Sequence, residues 1–453
     1  MSEAFLNNWE YLNAELARLD ILVQAEVVKC RPLAKDNRLD SFRSLFISED
    51  EVTHLLGTSE SDWHVDEVEQ LRTRAELMRK EIWSRRQAST EQGVYLSLPQ
   101  LARIFRLSPF EEDLVLICLA PEIDLKYERL YAYLQDDLTR RLPTVQLALE
   151  LLCISAEERG QARIHFTRQA ILFRSQILRF EGDNHASSLG NGLKLDERIS
   201  GFVLGTDGMD RGLRACFKAS PPPVELDVLR WNESLKTDLL NLTRDYLQHD
   251  QKPLHKLIFN FHGLAGAGRK TLAATLCREC GVPLIIVDLR EVLRQPHFED
   301  AIRSILREAV LQPGAIYLEH FDLIANDDEG VSRQQLISAL EEFSWLTFLS
   351  TEKPWAPGGA LRQHVYIDVE LSAPGLQERT DLWAQLAGNP EGFAPDVSWE
   401  DLAVKFRLTP GQINDALVVA RNRARLRGKE IITADDLHRG CRAQSNQKLS
   451  TAA

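Results

Sequence analysis

The chain has 453 residues, of which 44% are hydrophobic and 27% charged, with a formal net charge of −13 at pH 7. That length holds two or three domains, each with its own core, and the acidic balance disfavours indiscriminate binding to nucleic acid or anionic membrane. Seven scattered cysteines predict reduced, mostly buried thiols in a cytoplasmic protein. No apolar run approaches the ~20 residues of a membrane span, and the N-terminus lacks the basic start and apolar core of a signal peptide.

Trp9, Leu12, Leu16, Leu19 and Leu22 recur every three or four residues and predict an opening helix. "ISEDEVTHLL" reads as a second helix start, with Ser48 as cap and Glu51 closing the box. From about Asp66 to Arg86, alternating charge predicts a helix with a solvated face. A new unit begins near Val94, where "LSLPQLARIFRLSPFEEDLVLICLAPEIDLKYERLYAYLQDD" holds three short helical patterns. Ser97 is read as the cap of the first, with Pro99 in its first turn; Ser108 caps the next, with Glu111 closing its box. "PTVQLALELL" (Pro143 to Leu152) adds a helix, and "SQILRFEG" supplies a hairpin strand. Short helices followed by a small β element predict a winged helix. Between Glu111 and Asp137 acids outnumber bases, and no Lys/Arg stripe marks a recognition helix. That face suits protein contact better than DNA.

Three consecutive prolines, Pro221 to Pro223, stiffen the chain and mark a boundary. Beyond it the apolar strands "KLIFNF", "PLIIVDL", "AIYL", "LTFLST" and "HVYIDVEL" alternate with helical segments. That alternation predicts a parallel sheet covered on both faces. The end is helical: Thr409 caps, Pro410 takes the first position and Gln412 closes the box, and Thr433 with Asp436 repeats the device. The fold class is therefore multidomain: a mainly α N-terminal region with a winged helix, then an α/β module with a helical lid. The expected boundaries are 1–92 for a helical region, 93–220 for the winged helix, 221–371 for the α/β part, 372–446 for the lid and 447–453 for a tail. Cys277 and Cys280 form the one CxxC; with no second Cys or His pair nearby they read as packing thiols.

"FNFHGLAGAGRKTLAATL" carries the candidate site. An apolar strand feeds a glycine-rich turn that opens a helix, the arrangement that converges backbone N–H groups on a phosphate. Gly263 and Gly268 have the spacing of a phosphate-binding loop, with Gly266 and Ala267 between them, but Lys and Ser/Thr should follow, and the chain has Arg269 and Lys270. Arg269 keeps a positive charge. Lys270 stands where a magnesium-binding hydroxyl belongs, and an ammonium cannot ligate a cation. A shift of one position recovers Lys270 and Thr271 at the cost of a longer loop; the direct alignment is favoured. At the end of "AIYLEHFD", Glu319 takes the place of a metal-holding Asp and His320 that of a water-activating Glu. The next strand ends in Ser350 and Thr351, where a polar residue either reaches the terminal phosphate or attacking water or serves as a strand-end helix cap.

These elements in this order, with "LAPEIDLKYERLYAYLQDD", "DERISGFVLGTDGMD", "KFRLTPGQINDAL" and "CRAQSNQKL", resemble bacterial AAA+ ATPases with an N-terminal winged-helix domain. Members of that group are encoded with extracellular contractile injection systems, phage-tail-like particles that deliver toxins. The resemblance runs from about Phe5 to Leu449. It implies ATP or ADP as ligand, with magnesium opposed by Lys270. It implies a homo-oligomer, as a hexameric ring, and partners among injection-particle components or protein substrates, with no membrane. In such rings an arginine reaches the neighbour's nucleotide; Arg362 in "GGALRQHV" falls near that position, and a plain surface arginine is the other reading. "TPGQI" lacks the arginine that many such lids carry. The family follows a degenerate first module with a second that hydrolyses ATP, and this sequence stops where the second would begin, as a fragment or a short paralogue. The expected function is the first module of an ATP-dependent remodelling ATPase for particle assembly or cargo loading, with weak or no hydrolysis. The alternatives are a nucleotide-independent scaffold for ring contacts and a winged-helix DNA-binding regulator.

Overall fold

The computed structural model describes residues 3–30, 65–182, 187–206, 211–218, 233–248, 256–326, 330–343, 345–362 and 364–451. The box at Ser48 and Glu51 and the proline run at 221–223 lie outside them. The chain divides into two units, Met1–Asp210 and Arg211–Ala453, described in turn.

The first unit opens with α1 (Asn8–Lys29), which Asn7 caps by accepting the Glu10 N–H. Leu12, Leu16, Leu19 and Leu22 are buried as their period requires, but Trp9 is 52% exposed. Helix α2 (Val65–Glu91) packs along α1. Its charge is not merely a solvated face. Arg72 pairs with Glu26, Arg85 with Glu10 and Arg86 with Glu112 at 2.5–2.9 Å, so its arginines tie it to neighbouring helices.

Four helices follow: α3 (Ser97–Phe105), α4 (Pro109–Ile123), α5 (Lys126–Leu134) and α6 (Val145–Leu152). Ser108 and Glu111 form the full capping box at the start of α4, whose Leu114 to Ala120 are all buried. Ser97, however, is the first helical residue of α3 and not its cap. Its hydroxyl donates to the Val203 carbonyl at 2.5 Å, and the Asn8 amide oxygen accepts its N–H at 2.8 Å; a tertiary partner has taken over the local cap. Strands β1 (Leu178–Glu181) and β2 (Gly192–Leu195) form an antiparallel pair, Leu178 opposite Leu195.

The second unit is built on a six-stranded sheet: β3 (Phe217–Lys218), β4 (Lys256–Gly263), β5 (Leu284–Asp288), β6 (Ala315–Glu319), β7 (Leu346–Thr351) and β8 (His364–Leu371). Their spatial order is β3-β5-β6-β7-β4-β8. Five strands run parallel, and the two-residue β3 is antiparallel on β5. Interior strand β4 is buried along most of its length, and the Phe259, Phe261 and Phe348 rings pack on one another at 5.3–5.8 Å. Burying such a ring is worth ~2–3 kcal/mol. Helix α7 (Glu233–Gln248) contributes Leu239 to that core, and α8 (Arg269–Glu279) contributes Leu272, Ala273, Leu276 and Cys277. After the last strand come α9 (Leu376–Ala387), α10 (Trp399–Lys405), α11 (Pro410–Leu426) and α12 (Ala434–Thr451). They close around Trp383, Ile413, Leu417 and Leu437. No helix among the described residues is long and apolar enough to cross a membrane.

Candidate functional site

The glycine-rich turn leaves the end of β4 and enters α8. Gly268 stands immediately before the helix, which starts without a side-chain cap. The N–H groups of Arg269, Lys270 and Thr271 therefore have no intrahelical acceptor, and the helix's positive end faces the turn. That set fits a phosphate group. Ala267 is buried at 3% exposure and its N–H closes a tight turn onto the Leu264 carbonyl at 3.0 Å.

The start of lid helix α11 lies directly on this turn. Gly411 donates its N–H to the Gly266 carbonyl at 2.9 Å, and Thr409 donates its hydroxyl to the Ala265 carbonyl at 3.1 Å. Gly266 has φ 78°, and a Cβ there would lie 2.6 Å from Thr409 Oγ1. At Gly411 a Cβ would lie 3.0 Å from Gly266 Cα. Both glycines are needed for two backbones to approach this closely. Thr409 and Gln412 complete the capping box expected at this helix.

Arg269 and Lys270 point to different strand ends. Arg269 donates a guanidinium N–H to the backbone carbonyl of Thr351 at the end of β7. Lys270 Nζ lies 2.6 Å from Glu319 Oε1 at the end of β6. The other Glu319 oxygen is 3.0 Å from Lys218 Nζ on edge strand β3, and Lys218 is also 2.7 Å from Asp288 at the end of β5. Arg290 binds both Asp288 oxygens, at 3.1 and 2.9 Å. Three cations thus hold two carboxylates. Burial pushes Glu319 up, but its bonds with Lys270 and Lys218 outweigh this and hold it below the ordinary glutamate range. Asp288 behaves likewise: its burial is overcome by Arg290 and Lys218, and its carboxyl lies well below the usual range.

His320, at φ 62°, follows in a left-handed turn. One ligand atom from each of Asp288, Glu319 and His320 lies within 4.8 Å of the others. Burial, then the nearby Arg290, holds the imidazole below its ordinary pKa and so neutral. Asp, Glu and His could ligate a metal in principle, but the ammonium and guanidinium groups already on both carboxylates leave no fit for a divalent ion. Thr271 sits one position further into α8, its carbonyl accepting from the Thr275 hydroxyl at 2.8 Å.

The Thr351 hydroxyl donates to Asn260 Oδ1 at 3.0 Å, and the Asn260 amide donates to Asp368 at 2.7 Å. Asp368 also meets His262 Nε2 at 3.1 Å. A polar chain therefore crosses β7, β4 and β8, with Asn260 fully buried in the middle strand. Arg362 is apart from all of this. It is exposed on the turn before β8, its Nε donating to the Gly359 carbonyl at 2.9 Å.

Sequence reasoning missed Lys218, Asp288, Asn260 and the contact of Gly411 with Gly266. Asp288 carried a signal, an acid at the end of an apolar strand. Lys218 carried none, because it precedes the proline run and a two-residue strand has no period to read.

Three family models match the chain in order. They are the winged helix domain, variant, over residues 1–216; the ATPase family associated with various cellular activities (AAA) over 259–374; and the contractile injection system ATPase helical domain over 375–447. Compared with curated proteins, the chain matches none.

Proposed function

We propose, from the premise that this chain belongs to the winged-helix AAA+ ATPases of contractile injection systems, that its AAA module binds ADP or ATP in a ring and hydrolyses it weakly or not at all. The observation that carries the reading is the 2.6 Å pair of Lys270 with Glu319. In a phosphate-binding loop of this kind the residue after the lysine position offers a hydroxyl to magnesium, and the strand-end acid holds that same ion. Here the first is an ammonium and the second is its counterion. The group after Glu319 is an imidazole in place of a carboxylate base. The uncapped start of α8 and the loop backbone still fit phosphate, so binding outlives hydrolysis in this reading. Arg362 would serve a neighbouring protomer's nucleotide, and the assembly would act on injection-particle components or their cargo.

Calorimetry with ADP, beside a phosphate-release assay with ATP, tests this. Saturable binding with no turnover supports the reading; brisk turnover refutes it. A nucleotide-independent scaffold is favoured by one observation: Arg269 and the Thr351 hydroxyl are both engaged inside the protein. Absence of ADP binding with an intact ring would establish that second reading.

A further inference from the structure

The ends of β5 and β6 carry two carboxylates and one imidazole, Asp288, Glu319 and His320, whose ligand atoms lie within 4.8 Å of one another. Two oxygens and a nitrogen suit Mn²⁺ or Zn²⁺. Positive charge already sits there, supplied by the protein. Lys218 Nζ bridges Asp288 and Glu319 at 2.7 and 3.0 Å, as one ion between two strand ends would. Lys270 Nζ takes the remaining Glu319 oxygen at 2.6 Å. The two lysines come from distant parts of the chain, an edge strand and the first turn of α8, and converge on one carboxylate.

We propose that Lys218 and Lys270 are tethered substitutes for a divalent cation, closing a latent metal site whose three ligands remain, so that the module's ligand is bound without metal. With Arg290 the cluster holds three cations against two carboxylates. A divalent ion entering it would meet a net positive field and would have to displace ammonium groups already in contact. Removing the two lysine charges reverses that balance. Arg290 is half exposed and can yield one Asp288 oxygen to an ion. The last clause of the proposal rests on the nucleotide-binding reading above; the closed metal site does not.

The probe is Mn²⁺ titrated into the full chain without nucleotide, read as loss of the free-ion paramagnetic resonance signal. The wild-type chain is expected to leave the signal as in buffer. Lys218→Met/Lys270→Thr is expected to take up one ion at least about tenfold more tightly than the wild type, and adding Asp288→Asn should abolish that uptake. Circular dichroism establishes that each variant is folded. If the double variant is not, Lys218→Gln/Lys270→Gln, which keeps polar partners and removes only charge, carries the same comparison. A wild-type chain that binds Mn²⁺ as tightly as the double variant, or a folded double variant that takes up none, overturns the proposal. Titrating ADP into the same preparations with chelator tests the nucleotide reading separately. Failure there removes the last clause and leaves the Mn²⁺ comparison standing.

Discussion

The N–H of Gly411 donates to the carbonyl of Gly266 at 2.9 Å, so the lid touches the glycine-rich turn backbone to backbone. A side chain at either position separates them. Gly411→Val is expected to lower the stability of this unit by about 1–3 kcal/mol, the range for overpacking a close contact, and to speed amide exchange over 264–268 and 409–413. Thr409→Val keeps both glycines and removes the hydroxyl's bond to the Ala265 carbonyl, for about 1 kcal/mol. Denaturant unfolding with exchange mass spectrometry checks both; unchanged exchange in Gly411→Val would mean the contact is incidental.

ATP turnover by the wild-type chain is expected to fall well below the ordinary enzyme range of about 1 per second and above. Arg269→Lys/Lys270→Thr should not restore it, because Lys218 still holds Glu319 and His320 still lacks a carboxylate. Steady-state phosphate release on both proteins decides the matter, and rescue by the double variant would show that the loop alone limits the chemistry.

Arg269 reaches the β7 end through the Thr351 carbonyl, which leaves further guanidinium donors to offer a phosphate. Arg269→Ala is expected to weaken ADP binding by ~1.5–3 kcal/mol, the scale of a hydrogen bond to a charged group, with chelator changing little in either protein. Strong magnesium dependence with no effect of Arg269→Ala would instead put Lys270 and Thr271 in the phosphate and metal roles.

Asn260 lies between Thr351 and Asp368 with no exposure to solvent. Asn260→Ala strands the buried Thr351 hydroxyl, while Asp368 keeps His262, and is expected to cost about 1–3 kcal/mol. In Asn260→Ala/Thr351→Val the Thr351 hydroxyl is gone as well, so the loss should be smaller than the sum of the single variants. A double-mutant cycle in urea measures the coupling.

His320 is held below its ordinary pKa by burial and then by Arg290. The folded chain therefore binds its proton less readily than the unfolded chain. The stability this represents is complete above the unfolded value of about 6.5 and declines as pH falls toward the folded value. His364 and His438 are shifted the same way, each by burial and then a neighbouring lysine. Stability should fall from pH 7.5 to 5.5. His320→Asn, which tolerates the left-handed backbone, should flatten part of that slope. An unchanged slope in the variant would remove His320 from the account.

Helix starts and strands were legible where local chemistry decides them. The boxes at Ser108–Glu111 and Thr409–Gln412 form as their spacing requires, and the five apolar runs are the five parallel strands. Misreadings fall where a distant partner overrides a local rule. Ser97 looked like a cap because it precedes a helical pattern, yet Asn8 and Val203 claim it. The charges of α2 do lie on a largely solvated helix, but spacing cannot show that Glu26, Glu10 and Glu112 stand opposite three of its arginines. Trp9 keeps the period of α1 but not its burial. At the site, the loop's departures from pattern were readable, while the meaning of Lys270 depended on Glu319 and Lys218, residues far away in sequence.

The parallel topology also sets a waiting time. Strand β4 lies between β7 and β8, and both are translated long after it. A ribosome moving at ~5–20 residues per second leaves β4 without either partner for several seconds, its Phe259 and Phe261 rings still lacking the Phe348 ring that packs on both. During synthesis a strand that will be buried along most of its length is left open to wrong neighbours. A chaperone engaging this chain would therefore have its longest opportunity between the glycine-rich turn and the edge strand that completes the sheet.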